Sequence, residues 1–286
     1  MKNIQRPEKP SGLFRNHIKL AVLYKIIITG FIAGALCLLW GFLIEPNLLF
    51  IKKYQIKSAK LSRLKVVFIS DIHASKRDSG RIEKIVEKSN LQKPDLIILG
   101  GDFINGHSEK SSLSVDIIAK KLSKLEARYG IFSVLGNHDW YLDGHAVRHE
   151  LEKVGIIVLE NENTIVNING TAVTIAGIAD DTTRKPDIDK TLKGSSDTII
   201  FITHSPDVFP NISKDTEIVL AGHTHGGQVV IPFYGAPITN SFYGQKYRYG
   251  LVNENNKTMI ITGGIGTSVL PVRFFAPPEI VAIDFK

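Results

Sequence analysis

The 286-residue sequence predicts an α/β fold, a sandwich of mixed β-sheets covered by helices. Three observations lead there. Between residues 64 and 154, short apolar runs alternate with segments of helical periodicity. Beyond residue 155, strand-like runs dominate. Several apolar runs end in Asp, Asn or His, as strands do when they deliver polar groups to one edge of a sheet.

A basic tail, residues 1–25, precedes IIITGFIAGALCLLWGFLI, residues 26–44. These 19 residues hold no charge. As a helix they span roughly 28 Å, enough to cross the hydrocarbon core. Trp40 near the end suits an interfacial anchor. A transmembrane helix is expected, because the run is longer than the apolar part of a signal peptide and no clean cleavage site follows it. Residues 45–64 read as a juxtamembrane linker and first strand, and residues 65–286 as the main domain.

The formal net charge of +7 is unevenly spread. Residues 1–65 hold 12 Lys and Arg against 2 Asp and Glu, so this stretch carries +10 and the remainder −3. The basic part can meet anionic lipid headgroups. Basic residues flank the apolar segment on both sides, so the positive-inside rule does not orient it. The main domain shows no basic stripe, and no nucleic-acid partner is expected. The one cysteine, Cys37, lies inside the apolar segment, which excludes a disulfide framework and a thiolate metal site.

Along the main domain, LKVVFIS (64–70) is a buried-type strand ending in Asp71-Ile72-His73. Residues 81–88 have helical periodicity, and PDLIILGGD (94–102) is a strand running into an acid. Residues 113–128 read as an amphipathic helix, 129–139 as a strand and turn, and 145–154 as a helix. IIVLEN, TIVNING and TAVTIAGIAD read as strands, with Asn169-Gly170 as a hairpin turn. Residues 182–196 read as a polar loop. Further strands are expected within 197–206, 216–232, 258–266 and 279–285.

The strand ends supply Asp71, His73, Asp102, Asn137, His138, Asp139, His204, His223 and His225. In extended backbone, residues two apart face the same side, so His223 and His225 can present two imidazoles to one volume. The donors are oxygen and imidazole, a set that suits Mn, Fe or Zn. Singly, each has an ordinary explanation: a turn cap for Asp71 or Asp102, a satisfied core histidine for His204. The joint pattern is what points to a metal centre.

The ordered blocks D-x-H (71–73), G-D (101–102), G-N-H-D (136–139), the lone histidine at 204 and G-H-x-H (222–225) resemble the calcineurin-like metallophosphoesterases. The resemblance implies a four-layer αββα sandwich and two divalent metal ions per chain. It assigns Asp71, His73 and His225 to one ion and Asn137, His204 and His223 to the other, with Asp102 bridging. A carboxylate between two dications offsets their repulsion. In such a centre the ions generate hydroxide from water near neutral pH and bind phosphoryl oxygens. His138 matches the family's histidine that stabilises the transition state or protonates the leaving oxygen. Asp139 is expected either to orient that imidazole or to hold the loop.

The ending GGIGTSVLPVRFFAPPEI (263–280) resembles a membrane-associated bacterial branch of the same family. That branch includes an enzyme of lipid A synthesis that cleaves the pyrophosphate of UDP-2,3-diacylglucosamine. The resemblance implies a phosphorylated, lipid-linked substrate and a single-pass protein of the bacterial inner membrane. A UDP-linked substrate would require the catalytic domain on the cytoplasmic face, whereas a wall or exported phosphate would require the other. Arg273 could grip a phosphate with its planar fork or form a structural ion pair. His107, in a loop after Asp102, could touch substrate.

Overall fold

A computed structural model describes residues 12–286 apart from 77, 78, 107, 109 and 214. Helix α1, Gly12–Leu39, passes through a π-helical turn, Trp40–Ile44, and a 3₁₀ turn, Glu45–Asn47. The stretch Lys19–Asn47 is long and apolar enough to cross a membrane, and almost none of it is buried against the rest of the chain. Helical structure thus begins well before residue 26, where the apolar run starts, because the preceding residues include no helix breaker after Pro10.

Two six-stranded sheets follow. The first contains β1 (Phe50–Ile56), β2 (Lys65–Ile69), β3 (Leu96–Leu99), β4 (Ile131–Ser133), β5 (Ile157–Val158) and, from the far end of the chain, Glu279–Phe285. The second contains β6 (Glu162–Ile168), β7 (Thr171–Gly177), β8 (Ile199–Thr203), β9 (Ile218–Ala221), β10 (Gly250–Glu254) and β11 (Lys257–Ile261). With the strand Glu279–Phe285 as β12, the orders are β1-β12-β2-β3-β4-β5 and β10-β11-β9-β8-β7-β6. In the first sheet β2, β3, β4 and β5 run parallel, and in the second β7, β8, β9 and β11 do. The hairpin of β6 and β7 turns at Asn169-Gly170, as its sequence predicts, with both residues at positive φ.

Strand alternation builds the layers. Val66, Phe68, Leu96 and Ile98 point inward and meet Ile175, Ile200, Ile202 and Leu220 from the second sheet. Val67, Ile69, Ile97 and Leu99 point outward, under helices α2 (Ser79–Asn90), α3 (Val115–Leu122) and α5 (Gly144–Lys153). Between α3 and α5 lies the short α4, Asn137–Leu142. The outer face of the second sheet buries Phe201, Val219 and Met259 under Val208, Phe209 and Tyr247, beside the half-buried Ile188 and Leu192 of α6 (Ile188–Leu192). The result is the αββα sandwich, with its second helical layer reduced to short turns.

Several expectations change, among them the turn read up to residue 139, which opens helix α4 at Asn137. The helix read over 113–128 closes at Leu122, where its buried stripe Ile118, Ala119 and Leu122 ends. The loop read over 182–196 contains α6, capped by the Asp187 carboxylate accepting from the Lys190 N–H. Strand β10 carries an exposed, alternating pattern that gave no buried-strand signal.

Candidate metal centre

Each predicted donor lies just beyond the C-terminal end of a parallel strand. Asp71 and His73 follow β2, Asp102 follows β3, and Asn137 and His138 open α4 after β4. His204 follows β8, and His223 and His225 follow β9. Facing edges of the two sheets therefore bring together residues more than 150 positions apart.

The donors converge closely. The Nε2 atoms of His73 and His225 lie 3.0 Å apart. His73 Nε2 is 3.3 Å from Asp102 Oδ2, and His225 Nε2 is 3.6 Å from Asp71 Oδ1. On the other side of Asp102, His204 Nε2 lies 3.2 Å from the same Oδ2, 3.2 Å from Asn137 Oδ1 and 3.2 Å from His223 Nδ1. Asp102 Oδ2 thus stands between an Asp71–His73–His225 group and an Asn137–His204–His223 group. Lone-pair donors facing each other at such range, all buried or nearly so, are what a pair of cations would satisfy. The residues present fit two divalent ions, and the absence of thiolate keeps the choice among metals that accept oxygen and imidazole.

The backbone around the site is unusual. Asp71, His73, Asp102, His223 and His225 all adopt positive φ, between 44° and 68°. That conformation is uncommon for residues with a Cβ and is held here by surrounding contacts. It corrects the extended reading of GHTHGG. His223 and His225 are separated by a residue in the right-handed helical region, and a 3₁₀ turn starts at His225. The two imidazoles consequently serve different neighbours, His204 and His73.

Glycines make the close approach possible. A Cβ on Gly136 would strike Asp102 Oδ1 and come within 2.6 Å of His204 Cε1. A Cβ on Gly222 would strike Ser70 Oγ and come within 2.6 Å of Asp71 Oδ2.

Burial lowers the pKa of His73, His223 and His225, favouring the neutral imidazole that ligates metal. Burial pulls His204 the same way, but the Asp102 carboxylate wins and raises it well above the ordinary value. Burial likewise opposes ionisation of Asp102, yet His204 and His73 hold it well below the usual carboxylate range.

Asp139 does not reach the His138 imidazole. Its Oδ2 accepts from the N–H groups of Asp102 and Gly136 at 2.9 and 3.0 Å. Its Oδ1 accepts from Phe103 and Ile104 at 2.9 and 3.3 Å. It is fully buried, and burial together with the Asp102 charge pushes it up to about 7. Its carboxylate thus ties the backbone of residues 102–104 to Gly136.

His138 Nδ1 lies 2.5 Å from the Asn105 carbonyl oxygen, which only accepts, so Nδ1 carries hydrogen. Nε2 is turned to the pocket and lies 3.4 Å from Ser268 Oγ. The ring stands edge-on to His73 with centroids 4.5 Å apart.

Arg273 departs from the phosphate-gripping expectation. It is fully buried, and its guanidinium donates to the carbonyls of Gly263, Gly266 and Ala276. One of its nitrogens lies 3.5 Å from His225 Nδ1. With those donors turned to carbonyls inside the fold, it braces the 263–276 loop behind His225. His107 lies outside the described residues.

The site opens into a cavity of about 750 Å³ whose walls include Tyr141, Asp181, Asp207, Phe242 and Ser268. None of these was singled out from the sequence: Tyr141 lies in the short helix α4, Asp207 in a 3₁₀ turn, and Asp181, Phe242 and Ser268 in irregular segments, none of them long enough for a periodic signal.

A buried double centre of Asp, Asn and His at the strand ends of an αββα sandwich defines a class, the metal-dependent phosphoesterases. The sequence model of the calcineurin-like phosphoesterases matches residues 64–227, and the chain belongs to that family. An uncharacterized metallophosphoesterase of Bacillus subtilis, YkuE, is 31% identical over 253 residues, covering 85% of this chain and 87% of the relative. An uncharacterized metallophosphoesterase of Aquifex aeolicus is 30% identical over 255 residues, covering 85% and 94%. The protein is accordingly a metal-dependent phosphoesterase with a dinuclear centre.

Proposed function

We propose that this chain is a membrane-anchored phosphoesterase that cleaves a phosphodiester or pyrophosphate bond in a lipid or lipid-linked nucleotide, with UDP-2,3-diacylglucosamine the first substrate to test. What supports the reading is the way the apolar helix is tied to the site. The Arg273 N–H donates to the Gly41 carbonyl at 2.9 Å, and the buried Glu45 carboxylate accepts from the N–H groups of Phe275 and Ala276. Ser268, five residues before Arg273, faces His138. Five residues reach roughly 18 Å at most. The last turn of the apolar helix and the reacting centre are therefore a short, bonded step apart.

In this reading Asp71, His73 and His225 hold one ion, Asn137, His204 and His223 the other, and Asp102 lies between. When bound, two divalent ions supply Lewis acidity, lowering the pKa of water and offsetting phosphoryl charge. His138 is fixed by the Asn105 carbonyl with Nε2 toward the pocket. Protonated there, it gives its proton to the oxygen that leaves as the phosphorus–oxygen bond breaks. Asp139 is a positioning residue, holding the backbone on which Asp102 sits.

The test is release of UMP from UDP-2,3-diacylglucosamine in vesicles by the full-length, Mn²⁺-loaded protein, with His138→Ala in parallel. Metal-dependent release that the variant loses supports the proposal. Cleavage of a simple aryl phosphodiester without UMP release discards this substrate and moves the search to other lipid phosphodiesters. Equal rates on vesicle-borne substrate with residues 1–50 removed would discard the role of the anchor.

A further inference from the structure

Beside the metal centre, on the side of His225, runs a second groove of about 300 Å³. Its apolar wall is made by Val229, Pro237, Ile238, Val269, Leu270 and Val272, and among the described residues no Asp, Glu, Lys or Arg lines it. It shares His225, Asn240, Ser268 and Val269 with the main cavity, so a group attached to a phosphate in the centre can enter it directly.

The groove also meets the anchor. Val272 packs against Gly41, with its Cγ2 3.3 Å from where a Gly41 Cβ would stand. Val269 and Leu270 line a further cavity together with Phe42 and Pro46 of the anchor's exit and with His73 of the centre. Ile238, Val269 and Leu270 remain 57–82% exposed, far more than a soluble surface needs at one spot. One loop thus forms a wall of the centre through Ser268 and Val269, a wall of the apolar groove through Val269, Leu270 and Val272, and the contact with the last turn of the apolar helix through Val272 and Arg273.

From this continuity we propose that the groove holds a linear alkyl or acyl chain of the substrate, entering from the bilayer and ending at the phosphate beside His225. The inference rests on the membrane-anchored reading above and deepens it. A charged headgroup is excluded from this wall by the cost of leaving its charge without a partner. A flexible hydrocarbon meets no such penalty, and each methylene placed in the groove should raise apparent affinity about three- to fourfold. In the membrane-anchored reading, the end of the apolar helix, which Val272 touches at Gly41, lies near the edge of the hydrocarbon core, where such chains begin. The main cavity, with Asp181, Asp207 and Tyr141, is left for the polar part of the substrate on the opposite side.

The test uses the full chain in phosphatidylcholine nanodiscs, loaded with Mn²⁺, and a series of 4-nitrophenyl alkyl phosphates with ethyl, butyl, hexyl and octyl chains. In each, water adds to phosphorus, 4-nitrophenolate leaves, and the alkyl phosphate remains. Two variants, Ile238→Asp and Leu270→Asp, put a carboxylate into the groove at exposed positions outside the catalytic machinery. The expected result is that kcat/KM climbs with chain length in the wild type, by about three- to fourfold per methylene until the groove is full. Both variants should cleave the ethyl ester at the wild-type rate and lose most of the gain for longer chains. A flat chain-length profile with good ethyl ester cleavage overturns the groove assignment alone. So does a gain that persists unchanged in both variants, since it then comes from partitioning into the bilayer. Failure to cleave any ester overturns the phosphoesterase reading and the groove with it.

Discussion

Asp102 and Asp139 are joined through the backbone: the Asp102 N–H donates to Asp139 Oδ2 at 2.9 Å. Asp102 Oδ1 in turn accepts from the His138 N–H at 2.8 Å. The acid between the two ligand groups is therefore clamped at both its main chain and its side chain by the G-N-H-D segment. One short turn fixes the residue that the whole centre shares.

Asp139→Ala follows from that clamp. It strips partners from four buried N–H groups, of Asp102, Phe103, Ile104 and Gly136. Each costs about 1–3 kcal/mol where it stays unpaired. With partial recovery by water, a loss of about 3 kcal/mol is expected in denaturant unfolding of the full chain. Asp139→Asn, which keeps one acceptor oxygen, should lose less. A loss under about 0.5 kcal/mol for the alanine variant would show that the clamp is dispensable.

His138→Ala should separate chemistry from metal binding. The side chain faces the pocket through Nε2 while its ring is tethered at Nδ1. Removing a general acid typically costs about a hundred- to ten-thousand-fold in rate. Metal content by elemental analysis should stay at two ions per chain. If the variant loses an ion, His138 is a ligand instead, a role its closeness to His73 and Asp102 also permits.

Gly136→Ala tests how tightly the two sheet edges close on each other. The φ of Gly136 is −103°, so the backbone tolerates a side chain. The obstacle is steric, because the new methyl would strike Asp102 Oδ1 and press on His204. Metal stoichiometry is expected to fall below one per chain, with thermal unfolding of the metal-stripped protein changing far less than that of the loaded one. Retention of both ions would mean that the strand ends can part.

Metal affinity should climb with pH. In the protein's own field His204 is held above its ordinary value by Asp102, so near neutral pH it carries a proton that a metal must displace. Raising the pH removes that proton and strengthens binding, and lowering it has the opposite effect. Calorimetric titration of the stripped protein with Mn²⁺ in buffers of different ionisation enthalpy should register about one proton released per chain at neutral pH. No proton release would place His204 in its neutral form and contradict the dominance of Asp102.

The sequence alone determined what was written in local pattern. Apolar runs of four to seven residues marked β2, β3, β8 and β9, because parallel strands covered on both faces are apolar throughout. The polar residues that end those runs marked the groups that converge where the two sheets meet, since core residues of that type would not recur at strand after strand. Nineteen consecutive uncharged residues, 26–44, marked the apolar helix. Strand β10 and helix α6 escaped, as half-exposed elements too short for their periodicity to register.

The tertiary structure decided the rest, wherever direction rather than identity mattered. Asp139 and Arg273 are the residue types a phosphate site uses, yet one turns to backbone N–H groups and the other to backbone carbonyls. Ser268 and the wall of the apolar groove gained their positions from a loop clamped between His138 and Gly41. Which way a side chain points at a strand end depends on local φ, and at this site five residues are held at positive values. Packing from distant parts of the chain enforces those values, and nothing in the neighbouring residues encodes it.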